Sequence, residues 1–176
     1  MANKQALREL QTRLAERLQQ ARSRADTARW LAVECAGQGL LLPLGEAGEI
    51  FPMGAVLAVP HTQPWFVGVA NLRGRLHGVV DLARFLGLAP GAGGGEPGRE
   101  PARLIAFNAA LDINCALRVD RLAGLRSPEQ LRELPEDAGP KPAFAGGRYV
   151  DAAGRRWQAL GLAALAGDEA FLKVAG

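Results

Sequence analysis

Between Phe66 and Gly87 the chain runs through strand, turn, strand and helix patterns in a fixed order, and that order leaves it few folds. Phe66–Leu72 alternates large apolar residues with small or polar ones, the period of a strand with one buried face. The Arg73-Gly74 pair breaks the run and a second strand-like segment, Leu76 to Val80, follows. Two β-rich segments around a glycine-containing turn predict a hairpin. Asp81 stands where an N-cap belongs before LARFL, and Gly87 where a helix stops. Nothing in this unit has the look of a catalyst.

The rest of the chain is written in the same short units. Trp30–Cys35 and Gly39–Leu44 flank Ala-Gly-Gln and predict a first hairpin. A loop over Gly45–Gly48 precedes strand candidates at Glu49–Met53 and Val56–Val59, then a Pro60–Pro64 turn. Ala102–Phe107 and Ile113–Asp120 predict paired strands, the second in strict period two, and Leu122–Leu125 continues or turns the chain. Ser127-Pro128-Glu129-Gln130 reads as a helix start, so Leu131–Leu134 is expected to be a helical turn. Phe144, Tyr149–Asp151 and Trp157–Leu160 form a last hairpin around Ala152–Arg155, before a small helix near Leu162–Leu172. Many short strands with frequent turns favour small barrels over a parallel sheet.

Two segments depart from this style. Residues 4–28 carry Leu7, Leu10, Leu14, Leu18, Ala21, Ala25 and Ala28 at spacings of three and four, one apolar stripe on an amphipathic helix. Glu9–Arg13 and Arg22–Asp26 add opposite-charge pairs one turn apart. The C-terminal part of the stripe is expected to pack on its own protein; the rest is open between packing and docking on a partner. Residues 89–101 are almost wholly Gly, Pro, Ala and charge, the composition of a flexible loop. The chain thus divides into an N-terminal helical extension, 1–29, and a β domain over 30–172.

Charge narrows the partners. The net charge of +3 hides an uneven distribution, because Lys4 to Arg29 holds seven basic and three acidic residues and the remainder sums to −1. The β domain is close to neutral, which argues against nucleic acid as its partner. A small-barrel nucleic-acid binder would need Trp65, Phe66 or Trp157 as stacking platforms beside those basic residues. No apolar run approaches the ~20 residues of a membrane span, and the charged N-terminus lacks a signal-peptide core. Cys35 and Cys115 lie in strand-like runs without CxxC or Cys/His spacing and read as buried free thiols in a reducing cytosol.

Catalytic chemistry finds no constellation. His61 and His77 are isolated, Glu136-Asp137 and Asp168-Glu169 read as solvated charge, and Ser23 and Ser127 lie in no nucleophile motif. Gly91–Gly95 lacks the ending of a phosphate loop. No enzyme, metal or cofactor is expected. Arg73 remains, at a hairpin tip beside Arg75 and near Trp65 and Phe66. Its chemistry alone leaves open whether it solvates a turn or anchors an interface.

The motif settles more than the chemistry does. Gly68, Asn71–Gly74 and Val79–Leu82 reproduce a GxxNLRGxxxxVVDL run, and the chain over 30–172 closely resembles the CheW-like coupling domains in which that run recurs. The resemblance implies two packed five-stranded β-barrel (SH3-like) subdomains around a shared core and no catalytic activity. It implies a cytoplasmic adaptor that bridges a chemoreceptor to the regulatory domain of a chemotaxis-type histidine kinase, recruited to membrane-associated complexes without inserting into the membrane. It assigns receptor binding to Gly68, Asn71, Leu72, Arg73 and Gly74. Kinase contact is carried over to Met53 and Val56. Gly45–Met53 and the PxxxPWFVGVANLRG that follows resemble the adaptors of type IV pilus twitching systems. Gly78 stands where many members have proline, which is expected to loosen that strand.

Overall fold

The computed structural model describes residues 9–19, 29–88 and 101–176. Leu7, Ala21, Ala25, Ala28, the Arg22–Asp26 pair and the 89–100 part of the Gly/Pro stretch lie outside the described residues. Helix α1 covers 9–19, and over these turns the leucine stripe is open, with Leu10, Leu14 and Leu18 each more than half exposed.

Eleven strands follow among the described residues. The first hairpin pairs β1 (Trp30–Cys35) with β2 (Gln38–Pro43). Its two-residue turn has positive φ at both Ala36 and Gly37, the backbone twist that suits adjacent right-twisted strands. Then come β3 (Ala47–Pro52), β4 (Phe66–Leu72), β5 (Arg75–Asp81) and helix α2 (Leu82–Phe85). Beyond the described gap lie β6 (Arg103–Phe107), β7 (Cys115–Val119), β8 (Arg121–Arg126), β9 (Leu131–Leu134), β10 (Ala145–Asp151) and β11 (Arg156–Leu160). Helices α3 (Leu162–Ala166) and α4 (Glu169–Leu172) end the chain's regular structure.

These strands sort into two sheets that the sequence order does not suggest. One is five-stranded, β3-β6-β7-β5-β4, and the other six-stranded, β8-β1-β2-β11-β10-β9. The middle of the chain builds the first; the second joins the two opening strands to the four closing ones. Two parallel pairings, β5 with β7 and β11 with β2, tie segments that are remote in sequence.

Three apolar clusters result among the described residues. Ala70, Leu72, Val79, Leu104 and Ala116 fill the five-stranded sheet, and Ala32, Leu41, Trp157 and Ala159 the six-stranded one. The largest cluster lies between them. Leu31, Val33, Leu40 and Leu42 meet Val80, Ile105, Leu117 and Val119 there, with Leu162, Leu165 and Phe171 of the C-terminal helices. Alternation explains the arrangement: successive residues of β1 and β2 point alternately into their own sheet's interior and into the shared core.

Several expectations change. The second sheet has one strand more than the resemblance implies, because Leu131–Leu134 is a strand and not a helical turn. The Ser127–Gln130 start exists, with Gln130 accepting from the Ser127 N–H at 3.0 Å, but it makes one 3-10 turn, Pro128–Gln130. Leu131 is then extended (φ −128°, ψ 131°) and the chain pairs with β10, whose backbone bonds outweigh local propensity. Val56–Val59 yields only a bridge, Leu57 to Val69. The last helix splits at Gly167 and Asp168, and the Asp168 side chain caps α4 by accepting from the Phe171 N–H at 3.0 Å.

Candidate partner-binding site

The β4–β5 hairpin carries the candidate site, and its tip is rigid. Arg73 and Gly74 form the two-residue turn with φ of 50° and 80°, and the Asn71 side-chain oxygen accepts from the Gly74 N–H at 2.7 Å. A non-glycine residue with positive φ costs roughly 1–2 kcal/mol. Ala36 occupies the matching place in the β1–β2 turn, so the conformation belongs to the turn type. What distinguishes this turn is its side chain.

Arg73 is 76% exposed, and its guanidinium meets the Glu49 carboxylate of β3 at 2.6 Å. The pair spans the gap between β3 and β4, the two edges of the five-stranded sheet. Beneath it lies a hollow of about 390 Å³, lined in part by Ile50, Phe51, Pro52, Asn71 and Leu104. An arginine above an apolar-floored hollow offers the donors that Glu49 does not occupy to a partner's carboxylate and carbon surface to its side chains.

Gly68 and Leu72 lie below the surface. Leu72 is in the sheet's interior cluster. At Gly68, with φ of 142°, a Cβ would come within 2.1 Å of the Leu57 carbonyl oxygen, so the missing side chain is what lets the 55–59 segment cross β4. That crossing is fixed by two hydrogen bonds, Leu57 N–H to Val69 at 2.8 Å and Val69 N–H to Leu57 at 2.9 Å. Met53 and Val56 are half-buried against the same interior cluster. Residues assigned from sequence to two different partners therefore gather at one end of one sheet.

Asp81 anchors the other end of the hairpin and is the one buried charged residue among the described residues. It caps α2 by accepting from the Arg84 N–H at 3.1 Å and pairs with Arg118 of β7 at 2.9 Å. Arg118 lies 3.8 Å from Asp120, which accepts from the Ala36 N–H in the other sheet at 2.7 Å. Sequence reasoning found the cap and missed both Glu49 and Arg118, since no local spacing links those residues to their partners. The expected loosening at Gly78 is not seen. Gly78 stays paired on both sides, with Phe66 so close that a Cβ would meet its ring at 3.0 Å.

The aromatic residues considered as stacking platforms belong to the core. Trp65 packs edge-on to Phe85 and flat against Phe171, and Phe66 joins the shared cluster. Trp157 is 2% exposed, flanked by the guanidiniums of Arg155 and Arg126, and donates its indole N–H to Asp151 at 2.9 Å. No helix among the described residues is long and apolar enough to cross a membrane.

Known proteins share this pattern. The CheW-like domain model matches residues 29–170. Protein PilI of Pseudomonas aeruginosa is 31% identical over 145 residues, covering 79% of this chain and 75% of its own. The crystal structure of the scaffolding protein TtCheW from Thermoanaerobacter tengcongensis superposes with a TM-score of 0.59 at 19% identity, over 76% of this chain and 88% of that one.

Proposed function

Because the chain belongs to the CheW-like domain family, we propose that it is a non-catalytic adaptor coupling a chemoreceptor's cytoplasmic domain to the regulatory domain of a chemotaxis-type histidine kinase. The similarity to PilI supports placing it in a system that controls type IV pilus twitching. The adaptor domain is read as 30–172, with 1–29 an extension outside it and the protein recruited to membrane-associated receptors through its partners.

The observation that carries the receptor-facing half of this reading is Arg73, held out on a rigid tip beside an apolar hollow. Arg73, Asn71 and Gly74 are its contact surface, and Gly68 and Leu72 support that surface from beneath. Met53 and Val56 act on the kinase side by shaping the neighbouring 52–56 segment. Glu49 holds the Arg73 guanidinium until a partner's carboxylate replaces it.

The test is reconstitution of receptor domain, kinase and this protein, with kinase autophosphorylation as readout. The wild type should change the rate only when receptor is present, and Arg73→Glu should lose that response while still folding. Turnover by the protein alone, or an unchanged response in Arg73→Glu, would sink the assignment.

A further inference from the structure

We propose that the outer face of β9, β10 and β11 is a second docking surface, one that takes an acidic helix of a partner protein. Register places Arg132, Val150 and Arg156 directly opposite one another on the three strands, so their side chains share one face. Arg148 and Gln158 follow in the next row of that face. Arg132 and Arg156 are both exposed, and neither has an ion pair among the described residues.

The surrounding charges leave the face positive. Arg148 is matched by Asp137, which leaves Arg132 and Arg156 as the cations of this face without an ion pair among the described residues. Beside Arg156 a hollow of about 450 Å³ opens, walled in part by the Gly37–Gly39 turn, Arg155, Trp157 and Gln158. Guanidiniums only donate, so the complement is an acceptor-rich anion.

Geometry selects among such anions. Arg132 and Arg156 stand two strand spacings apart, about 9.6 Å, with Val150 between them. Two carboxylates at i and i+7 on a helix share a face about 10.5 Å apart. Same-face residues of an extended strand fall at about 6.6 or 13 Å and match less well. Val150 gives the helix an apolar contact between its two acidic anchors. A single nucleic-acid strand fits poorly, because bases need exposed aromatic rings to stack on and Trp157, though it lines the hollow, is only 2% exposed. This surface is separate from the Arg73 hairpin, which lies on the other sheet.

The test uses a synthetic acidic helical peptide with Glu at i and i+7, a scrambled peptide of the same composition, and a short single-stranded DNA, each titrated into the full chain and followed by heteronuclear NMR. The expected result is saturable shifts at Val150 and the Arg132 and Arg156 side chains with the patterned peptide, weakening as salt is raised. Arg132→Glu with Arg156→Glu should reduce that affinity at least about tenfold. The milder Arg132→Gln with Arg156→Gln should reduce it less. Equal binding of patterned and scrambled peptides, tighter binding of the DNA at these arginines, or unaltered affinity in both double variants would overturn the proposal.

Discussion

At Gly68 a methyl group would meet the Leu57 carbonyl in a backbone conformation that L residues rarely adopt, while five residues on Arg73 reaches freely into solvent. The same motif therefore contains one position read by the fold and one available to a partner. Gly68→Ala should cost about 3 kcal/mol or more in urea unfolding, combining an overpacked backbone contact with positive-φ strain. Arg73→Glu should cost under ~1 kcal/mol, since it trades an exposed ion pair for a solvent-screened like-charge pair with Glu49, yet weaken receptor binding by about 2 kcal/mol. Comparable destabilisation in the two variants would make Arg73 a structural turn residue. Glu34 contributes to the acid dependence of stability. Burial raises the Glu34 pKa, but hydrogen bonds from Arg121 and Arg155 outweigh it and hold the carboxyl below its usual value. A depressed folded pKa contributes stability above the unfolded-state value and loses it as pH falls through the folded one. Wild type and Glu34→Gln should accordingly differ most near neutral pH and converge in acid when unfolding is measured across pH.

Among elements, those whose ends carry their own chemistry were legible in advance. Asp81 and Gly87 bracket α2 as their residue types require, and the two glycine-containing turns set both hairpins in register. Leu131–Leu134 was misread because its local start signal is real but its fate depends on β10. The Asp81–Arg118 pair belongs to this scale, joining the end of β5, the start of α2 and the middle of β7. Asp81→Asn removes the nearer charge partner of a partly exposed Arg118 that still lies beside Asp120, and should destabilise by about 1.5 kcal/mol in equilibrium unfolding. A change within ±0.5 kcal/mol would mean that solvent already satisfies Arg118.

For the whole molecule the interleaved sheets require joint unfolding. Cys35 and Cys115 both lie in the core shared by the two sheets. Burial, aided at Cys35 by the Asp120 charge, lifts both thiols to about 12. Neither is a thiolate at neutral pH, and a raised pKa means stability that is complete below the unfolded-state value of ~8.5 and falls as pH rises towards the folded one. Alkylation of the native protein should be slow, and with added urea both thiols should react along the same transition. Two separate transitions would show that the sheets unfold independently. Deleting residues 1–25 should leave that transition in place, because the described part of α1 is exposed along its length. Loss of cooperative unfolding in the truncated chain would assign the extension to the core.

By itself the sequence determined what short-range chemistry can encode: strands by period two, turns by paired residues at positive φ, a cap at Asp81, and a family by a motif whose spacing spans all three. Tertiary structure alone decided which strands become neighbours. Closing strand β11 lies parallel to opening strand β2, Glu49 answers Arg73, and Arg118 answers Asp81. Those choices depend on burying two faces of each sheet at once, a constraint on the whole chain that no window of it contains.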